Sequence, residues 1–262
     1  MHAILRDNAF SKLLELKATL GPLSATKLFV EAARWGRLEM CQWLRASYAL
    51  LTEDRRAYDH TALHAAAENG HLDVCQWLHA TFDLTPDNYR FYNSRTFRDA
   101  AQNGHLDVCE WLHATFRLTP ADARANETEV LRMAAAYGHR DVCEWLRATF
   151  ALTAADARAN DNYALRYAAR NGHLGACEWL YETYGLTTAD ARARENYALQ
   201  WALLNGHLDV CKWLHASAGA EILNWGGYVV CTTPAVAAWI RGRAAAARLR
   251  ALATELVAIA DA

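Results

Sequence analysis

Cysteine and histidine, two side chains that often carry covalent or metal chemistry, recur in this sequence at one interval. Six cysteines are spaced 34 residues apart: Cys41, Cys75, Cys109, Cys143, Cys177 and Cys211. Five histidines keep the same spacing: His71, His105, His139, His173 and His207. Thiols and imidazoles at such positions could form disulfides, act as nucleophiles or bind zinc.

The spacing disfavours each of these chemistries. Packed helices lie roughly 8–10 Å apart, whereas Cα atoms joined by a disulfide lie within about 7 Å. No Cys-x-x-Cys pair and no Cys/His group at zinc spacing occurs. Successive imidazoles would also be too far apart to share one metal ion, whose bonds are about 2 Å long. We therefore expect buried, structural cysteines and histidines, with no metal and no cofactor.

Signatures of enzymes are missing from the sequence. It contains no Gly-rich phosphate loop, no His-Glu-x-x-His and no Gly-x-Ser-x-Gly. Its acids and bases recur at equivalent positions of a repeated unit, so they are spread along a surface instead of meeting in a pocket. We expect no catalytic residues and predict that the protein is not an enzyme.

The elements that position these residues follow a 34-residue repeat. Glycines recur at Gly36, Gly70, Gly104, Gly138, Gly172 and Gly206, and tryptophans at Trp43, Trp77, Trp111, Trp145, Trp179 and Trp213. Residues 61–69 favour a helix, Gly70 suits its left-handed end, and residues 71–80 favour a second helix. Each unit is thus predicted to be an antiparallel helical hairpin, and units that cannot bury their apolar faces alone must stack.

The connections between hairpins have a pattern of their own. Thr119-Pro120-Ala121-Asp122 recurs as Thr153-Ala154-Ala155-Asp156 and as Thr187-Thr188-Ala189-Asp190. Thr three residues before Asp resembles a helix N-cap, and Pro favours the first helical position. We predict a short third helix, at residues 120–125 in the first of these copies.

The repeat resembles the ankyrin repeat. Thr61-Ala62-Leu63-His64, followed by Ala66, Gly70 and His71, is similar to the signature T-P-L-H-x-A and the later Gly-His. The resemblance covers roughly residues 27–217. The sequence departs from the usual ankyrin pattern, for example in its 34-residue period, and in this it is similar to the ankyrin arrays of giant DNA viruses and protists. It implies an all-α solenoid of helical hairpins: a capping helix at 1–26, six repeats at 27–217, and an irregular loop with a degenerate capping repeat at 218–262.

Composition and charge limit the kinds of partner that we expect. The formal net charge is −2, with 27 basic and 29 acidic residues, which disfavours nucleic acid. No apolar run approaches the ~18 residues that span a bilayer, and the N-terminus lacks the features of a signal peptide. We expect a monomer without membrane contact in the cytoplasm, with the nucleus, or the host cytoplasm for a viral protein, as alternatives.

Positions that vary between repeats predict the binding site. Five residues before each Gly the sequence reads Glu31, Ala65, Asp99, Met133, Tyr167 and Trp201. Aromatic residues, Met and Arg are enriched in interface centres. We therefore predict a partner-binding groove from these and neighbouring residues: Arg98, Arg132, Met133, Tyr137, Arg166, Tyr167, Arg170 and Trp201. The alternative is that these side chains pack on each other and on the next repeat.

Three functions compete. The leading prediction is a scaffold or adaptor that binds a partner protein in its concave groove. The second is an adaptor whose C-terminal segment recruits ubiquitin-ligase or other machinery, although residues 233–262 look more like a cap. The third is nucleic-acid binding by the row of arginines, against which the net charge and the interspersed Glu31, Glu68 and Asp99 argue.

Overall fold

The computed structural model describes residues 22–48, 55–85, 94–216, 218 and 233–243. Within these ranges every regular element is a helix and there is no strand. The predicted capping helix at 1–26 lies almost wholly outside the described residues, as do the loop at 219–232 and the end of the chain from 244 onward.

Six helical hairpins occupy the described chain, and we number them repeats 1 to 6. Their first helices are Pro22–Arg34, Arg55–Glu68, Ser94–Gln102, Ala125–Ala136, Ala159–Arg170 and Ala193–Asn205. Their second helices are Leu38–Ser47, Leu72–Phe82, Leu106–Phe116, Arg140–Phe150, Leu174–Thr183 and Leu208–Ala216. Residues 234–243 are also helical. The predicted all-α hairpin fold is confirmed.

The short third helix is confirmed as well, at Pro120–Ala123, Ala154–Ala157 and Thr188–Ala191. Its N-terminus is a capping box. The Thr119 backbone N–H donates to Asp122 Oδ2 at 2.7 Å, and the Asp122 N–H donates to Thr119 Oγ1 at 3.4 Å. These bonds satisfy backbone donors that the helix itself leaves unpaired.

The first short helix ends at Ala123, two residues earlier than predicted, because a left-handed turn follows it. Asn126, Glu127 and Thr128 have φ values of 50°, 59° and 58°. Residues 160–162 and 194–196 repeat this conformation in repeats 5 and 6. A left-handed backbone costs about 1–2 kcal/mol for each residue other than glycine, so the surrounding structure must stabilise these turns.

The described chain forms two compact units, residues 1–157 and 158–262. In the first unit the first helices of repeats 1 to 4 pack side by side, with the second helices packed in a neighbouring row. In the second unit the first helices of repeats 5 and 6 pack against each other in the same way. Also in this unit, the rings of His215 and Trp239 approach within 6.1 Å, so helix 234–243 lies against repeat 6.

The recurring cysteines and tryptophans belong to the packing between helices. The six cysteines at the 34-residue spacing are buried thiols with 0% exposure, and none of them is in a disulfide. Five of the six tryptophans meet an aromatic ring five residues later edge to face, as Trp111 meets Phe116 at 5.7 Å and Trp179 meets Tyr184 at 5.5 Å. Trp213 instead meets Tyr181 of the preceding repeat at 5.6 Å. Aromatic rings favour this edge-to-face geometry. In repeats 1 to 5 it packs the C-terminal end of the second helix.

The recurring histidines connect one repeat to the one before. His71 Nε2 lies 3.0 Å from the Arg34 carbonyl oxygen, and His105 Nε2 lies 3.1 Å from the Glu68 carbonyl oxygen. An imidazole N–H at Nε2 therefore donates to a carbonyl at the end of the preceding first helix. Such carbonyls have no partner within their own helix, so the histidine supplies one.

Candidate partner-binding surface

Four aromatic rings lie together on the first helices of repeats 5 and 6. Tyr163 and Tyr167 are four residues apart on one helix and stack with centroids 3.9 Å apart and an interplanar angle of 10°. Tyr197 lies 6.0 Å from Tyr167 and 5.6 Å from Trp201. All four rings are half-buried, so each keeps an accessible part.

Arg170 lies on this group of rings. Its guanidinium carbon is 4.5 Å from the centroid of Trp201 and 5.4 Å from that of Tyr167, which is cation–π distance. Arg170 is itself half-buried. We call Tyr163, Tyr167, Arg170, Tyr197 and Trp201 the aromatic–arginine surface.

Electrostatics within the aromatic–arginine surface act on Tyr197. Burial of its phenol and hydrogen bonding to Tyr167 raise the pKa of Tyr197, and the positive charge of Arg170 opposes this shift without reversing it. The hydroxyl of Tyr197 therefore stays protonated at neutral pH and can donate or accept a hydrogen bond.

Arg166 supports this surface from below. Its side chain is buried, donates through Nε to the Asp161 carbonyl at 2.7 Å, and donates through a terminal nitrogen to the Asn160 carbonyl at 2.9 Å. Its guanidinium also lies 5.0 Å from the centroid of Tyr197. Burial, together with the nearby Arg194, lowers the pKa of Arg166 from its ordinary value.

The residues equivalent to Arg166 contact their own left-handed turns. Arg132, which is buried, donates to the Asn126 carbonyl at 2.7 Å. Gln200 donates to the Glu195 carbonyl at 2.5 Å. Two predicted site residues, Arg132 and Arg166, thus donate hydrogen bonds to the backbone of their own repeats.

Arg98 lies in a cluster of charges in the first unit. It contacts the carboxylates of Asp99 at 2.6 Å and of Glu129 at 3.2 Å. His64 Nε2 lies 2.9 Å from the same Asp99. Burial raises the pKa of Asp99, but the hydrogen bonds from His64 and Arg98 outweigh this effect and leave it below the ordinary value. Arg98 is thereby linked to repeats 2 and 4.

The other predicted residues of the first unit lie in repeat 4. Tyr137 is 48% exposed, and Met133 is half-buried. In the second unit, the structure brings Arg166, Tyr167, Arg170 and Trp201 together. Sequence reasoning missed Tyr163 and Tyr197, which both lie nine residues before the repeat glycine and so share one register.

Comparison with known proteins decides the family. The model of ankyrin repeats matches three times, at residues 28–122, 97–192 and 131–224, so it covers most of the chain. The chain belongs to the ankyrin repeat family. Proteins with ankyrin repeats generally mediate protein–protein interactions and are typically not enzymes. No curated protein matches this ankyrin chain significantly.

The described part of this ankyrin protein contains neither a candidate metal site nor a candidate membrane-spanning helix. Among the residues that the structure describes, no three His, Cys, Asp or Glu side chains are grouped closely enough to hold a metal ion. In the same ranges, no helix is long and apolar enough to cross a membrane.

Proposed function

We propose that this ankyrin protein is a scaffold or adaptor that binds a partner protein through its aromatic–arginine surface. The observation that carries the proposal is the half-buried stack of Tyr163, Tyr167, Tyr197 and Trp201 with Arg170 on it. A few residues dominate the binding energy at protein interfaces, and tryptophan, tyrosine and arginine are enriched among them.

The hairpin fold does not require aromatic rings at these positions. The residue equivalent to Tyr167 is Ala65 in repeat 2 and Asp99 in repeat 3, and both fit the same hairpin. The position of the buried cysteine, in contrast, carries the same residue type in all six repeats. Rings that the fold does not need, on a surface that solvent reaches, are best explained by recognition.

Affinity purification with mass spectrometry tests the proposal. The full chain is compared with the double variant Tyr167→Ala/Trp201→Ala, after circular dichroism has shown unchanged helicity. The matched control is Tyr181→Ala, which removes a half-buried tyrosine that meets Trp213 at 5.6 Å on the second helices. A protein captured by the wild type and the control, but not by the double variant, supports the proposal.

The opposite pattern would move the site. A partner that the double variant retains would be bound elsewhere, and separate variants Met133→Ala and Tyr137→Ala would then test the predicted residues of repeat 4. A partner lost only with a variant that removes residues 233–262 would support the second prediction, recruitment through the C-terminal segment.

A further inference from the structure

Two arginines on the first helices have neighbours of different kinds. Arg98 in repeat 3 lies against two carboxylates, those of Asp99 and Glu129. Arg170 in repeat 5 lies against two aromatic rings. Among the described residues, no carboxylate is within salt-bridge distance of Arg170. Within the described ranges, the aromatic–arginine surface therefore holds a positive charge without a carboxylate partner.

Two acidic side chains, Asp161 and Glu195, each lie two residues before a tyrosine of this surface. They are outnumbered by three arginines, Arg166, Arg170 and Arg194. Asp161 Oδ2 is engaged by Arg194 at 2.8 Å. Arg166, packed against the rings, donates to backbone carbonyls and adds a second positive charge. Asp161 attracts it, but no carboxylate in the described part of the chain is within salt-bridge distance of it. The local excess is positive although the net charge of the whole protein is −2.

This arrangement disfavours a cationic partner group. Aromatic faces attract cations, but these faces are already occupied, since Arg170 lies over Tyr167 and Trp201, and Arg166 lies 5.9 Å from the centroid of Tyr163. A lysine or arginine of a partner would meet like charge there. The planar edge of a guanidinium stacked on a ring still points N–H groups outward, in a geometry that matches a carboxylate.

We propose that the aromatic–arginine surface binds an acidic segment of the partner protein. A carboxylate of that segment pairs with Arg170, and an adjacent aromatic or aliphatic side chain packs on the exposed parts of Tyr167 and Trp201. This inference rests on the proposed function and adds the chemistry of the partner. Because the ring stack holds Arg170 in place, less side-chain entropy is lost when the pair forms.

Fluorescence anisotropy with synthetic polymers tests this chemistry on the full chain. The probe is a labelled random copolymer of glutamate and tyrosine, compared with polyglutamate and with a copolymer of lysine and tyrosine. We expect the Glu/Tyr copolymer to bind most tightly and Arg170→Gln to weaken it about 10-fold, as the loss of one charge-assisted contact predicts. The control Lys212→Gln removes an exposed charge from the second helix of repeat 6 and should change binding by less than about twofold.

Four results would overturn the inference. Binding of the Glu/Tyr copolymer no tighter than polyglutamate would mean that the rings contribute nothing. Equal losses in Arg170→Gln and Lys212→Gln would show attraction to overall charge alone. Tighter binding of the Lys/Tyr copolymer would mean that the rings take cations. Tighter binding of labelled poly(U) RNA, weakened by Arg170→Gln, would assign the surface to nucleic acid.

If any of these occurs while the Tyr167→Ala/Trp201→Ala variant still loses its captured protein, the proposed function stands and only the partner chemistry is wrong.

Discussion

The imidazole of His105 lies directly against the backbone of Gly70, the glycine of the preceding repeat. A Cβ atom at Gly70 would be 2.5 Å from His105 Nδ1, closer than any side chain allows, and Gly70 itself has φ of +77°. The same contact joins Gly36 to His71 and Gly172 to His207. The glycine of one ankyrin signature thus contacts the histidine of the next, and two separate requirements exclude a side chain at the glycine.

Alanine substitutions at three glycines separate those requirements. Gly70→Ala should destabilise the protein by roughly 2–3 kcal/mol, because it adds a clash to a left-handed backbone. Gly185→Ala should cost only about 1 kcal/mol, since φ is +57° but the space around the Cβ is empty. Gly175→Ala, in a helix and with no neighbour within 4 Å, should stabilise by about 0.5–1 kcal/mol. Urea unfolding measures all three, and equal losses at Gly70 and Gly185 would contradict the clash.

Acidification should destabilise the array through His105. Burial lowers the pKa of His105, and repulsion from His71 and His139 adds to this effect, so that its hydrogen bond to the Glu68 carbonyl does not restore the ordinary value. The unfolded chain then binds the proton first, near pH 6.5, and the free energy of unfolding falls as the pH drops below that value. His105→Gln should reduce this dependence between pH 7.5 and 5. An NMR titration of His105 with a midpoint at or above 6.5 would refute the prediction.

The ion pair between Arg124 and Asp156 should couple the short helices Pro120–Ala123 and Ala154–Ala157, which precede the first helices of repeats 4 and 5. Arg124 Nε lies 2.9 Å from Asp156 Oδ1, and the same carboxylate accepts the Thr153 backbone N–H at 2.7 Å. Asp156→Asn should cost about 1–2 kcal/mol, since it weakens a helix cap and an ion pair together. A double-mutant cycle with Arg124→Gln should give a coupling of about 1 kcal/mol, limited by the partial exposure of Arg124. Additive single effects would mean that the pair contributes nothing.

Arg166 should stabilise the left-handed turn at residues 160–162. Arg166→Leu removes both donors to the carbonyls of Asn160 and Asp161 and should lower the free energy of unfolding by about 1–3 kcal/mol. Arg166→Gln should cost less, because Gln200 makes the equivalent bond to the Glu195 carbonyl in repeat 6. Urea unfolding compares the two variants, and a glutamine that is no better than leucine would argue against this role.

The recurring cysteines should resist alkylation while the protein is folded. Burial raises the pKa of the Cys41 thiol to about 12, with the carboxylate of Asp73 adding to the shift. Burial also raises the pKa of Cys143. Because the thiolate is the nucleophile, iodoacetamide at pH 7.5 should modify these two residues in urea but not under native conditions. Peptide mapping by mass spectrometry reads the result, and rapid native labelling of Cys143 would contradict it.

Periodicity made the hairpins predictable, and local chemistry made the short helices predictable. One glycine per period marks each turn, and Thr119 with Asp122 marks a cap, so neither inference needed tertiary structure. The left-handed turns were not predictable, because Asn126-Glu127-Thr128 contains no glycine and its local preferences oppose the conformation. Arginine side chains six residues further along the same helix stabilise it instead, and for that reason the predicted site residues Arg132 and Arg166 donate to backbone carbonyls.

The aromatic–arginine surface was predicted only in part. Tyr167, Arg170 and Trp201 follow from positions that vary near the repeat glycine, whereas Tyr163 and Tyr197 lie one helical turn earlier. A periodicity that places residues four apart on one helix face would have found them. The direction in which Arg170 lies, over rings instead of toward a carboxylate, depends on packing between two repeats and has no sequence signature.

The pairing of Arg124 with Asp156, repeated by Arg158 with Asp190 at 2.9 Å, bears on how such a gene can grow. Repeat 5 thus supplies Asp156 to the repeat before it and Arg158 to the repeat after it. A duplication or deletion conserves every pair only when it spans whole periods of 34 residues, wherever its ends fall within the unit. Unequal recombination in register therefore lengthens or shortens the array without creating a mismatched junction, while an event out of register leaves one unpaired charge at its seam.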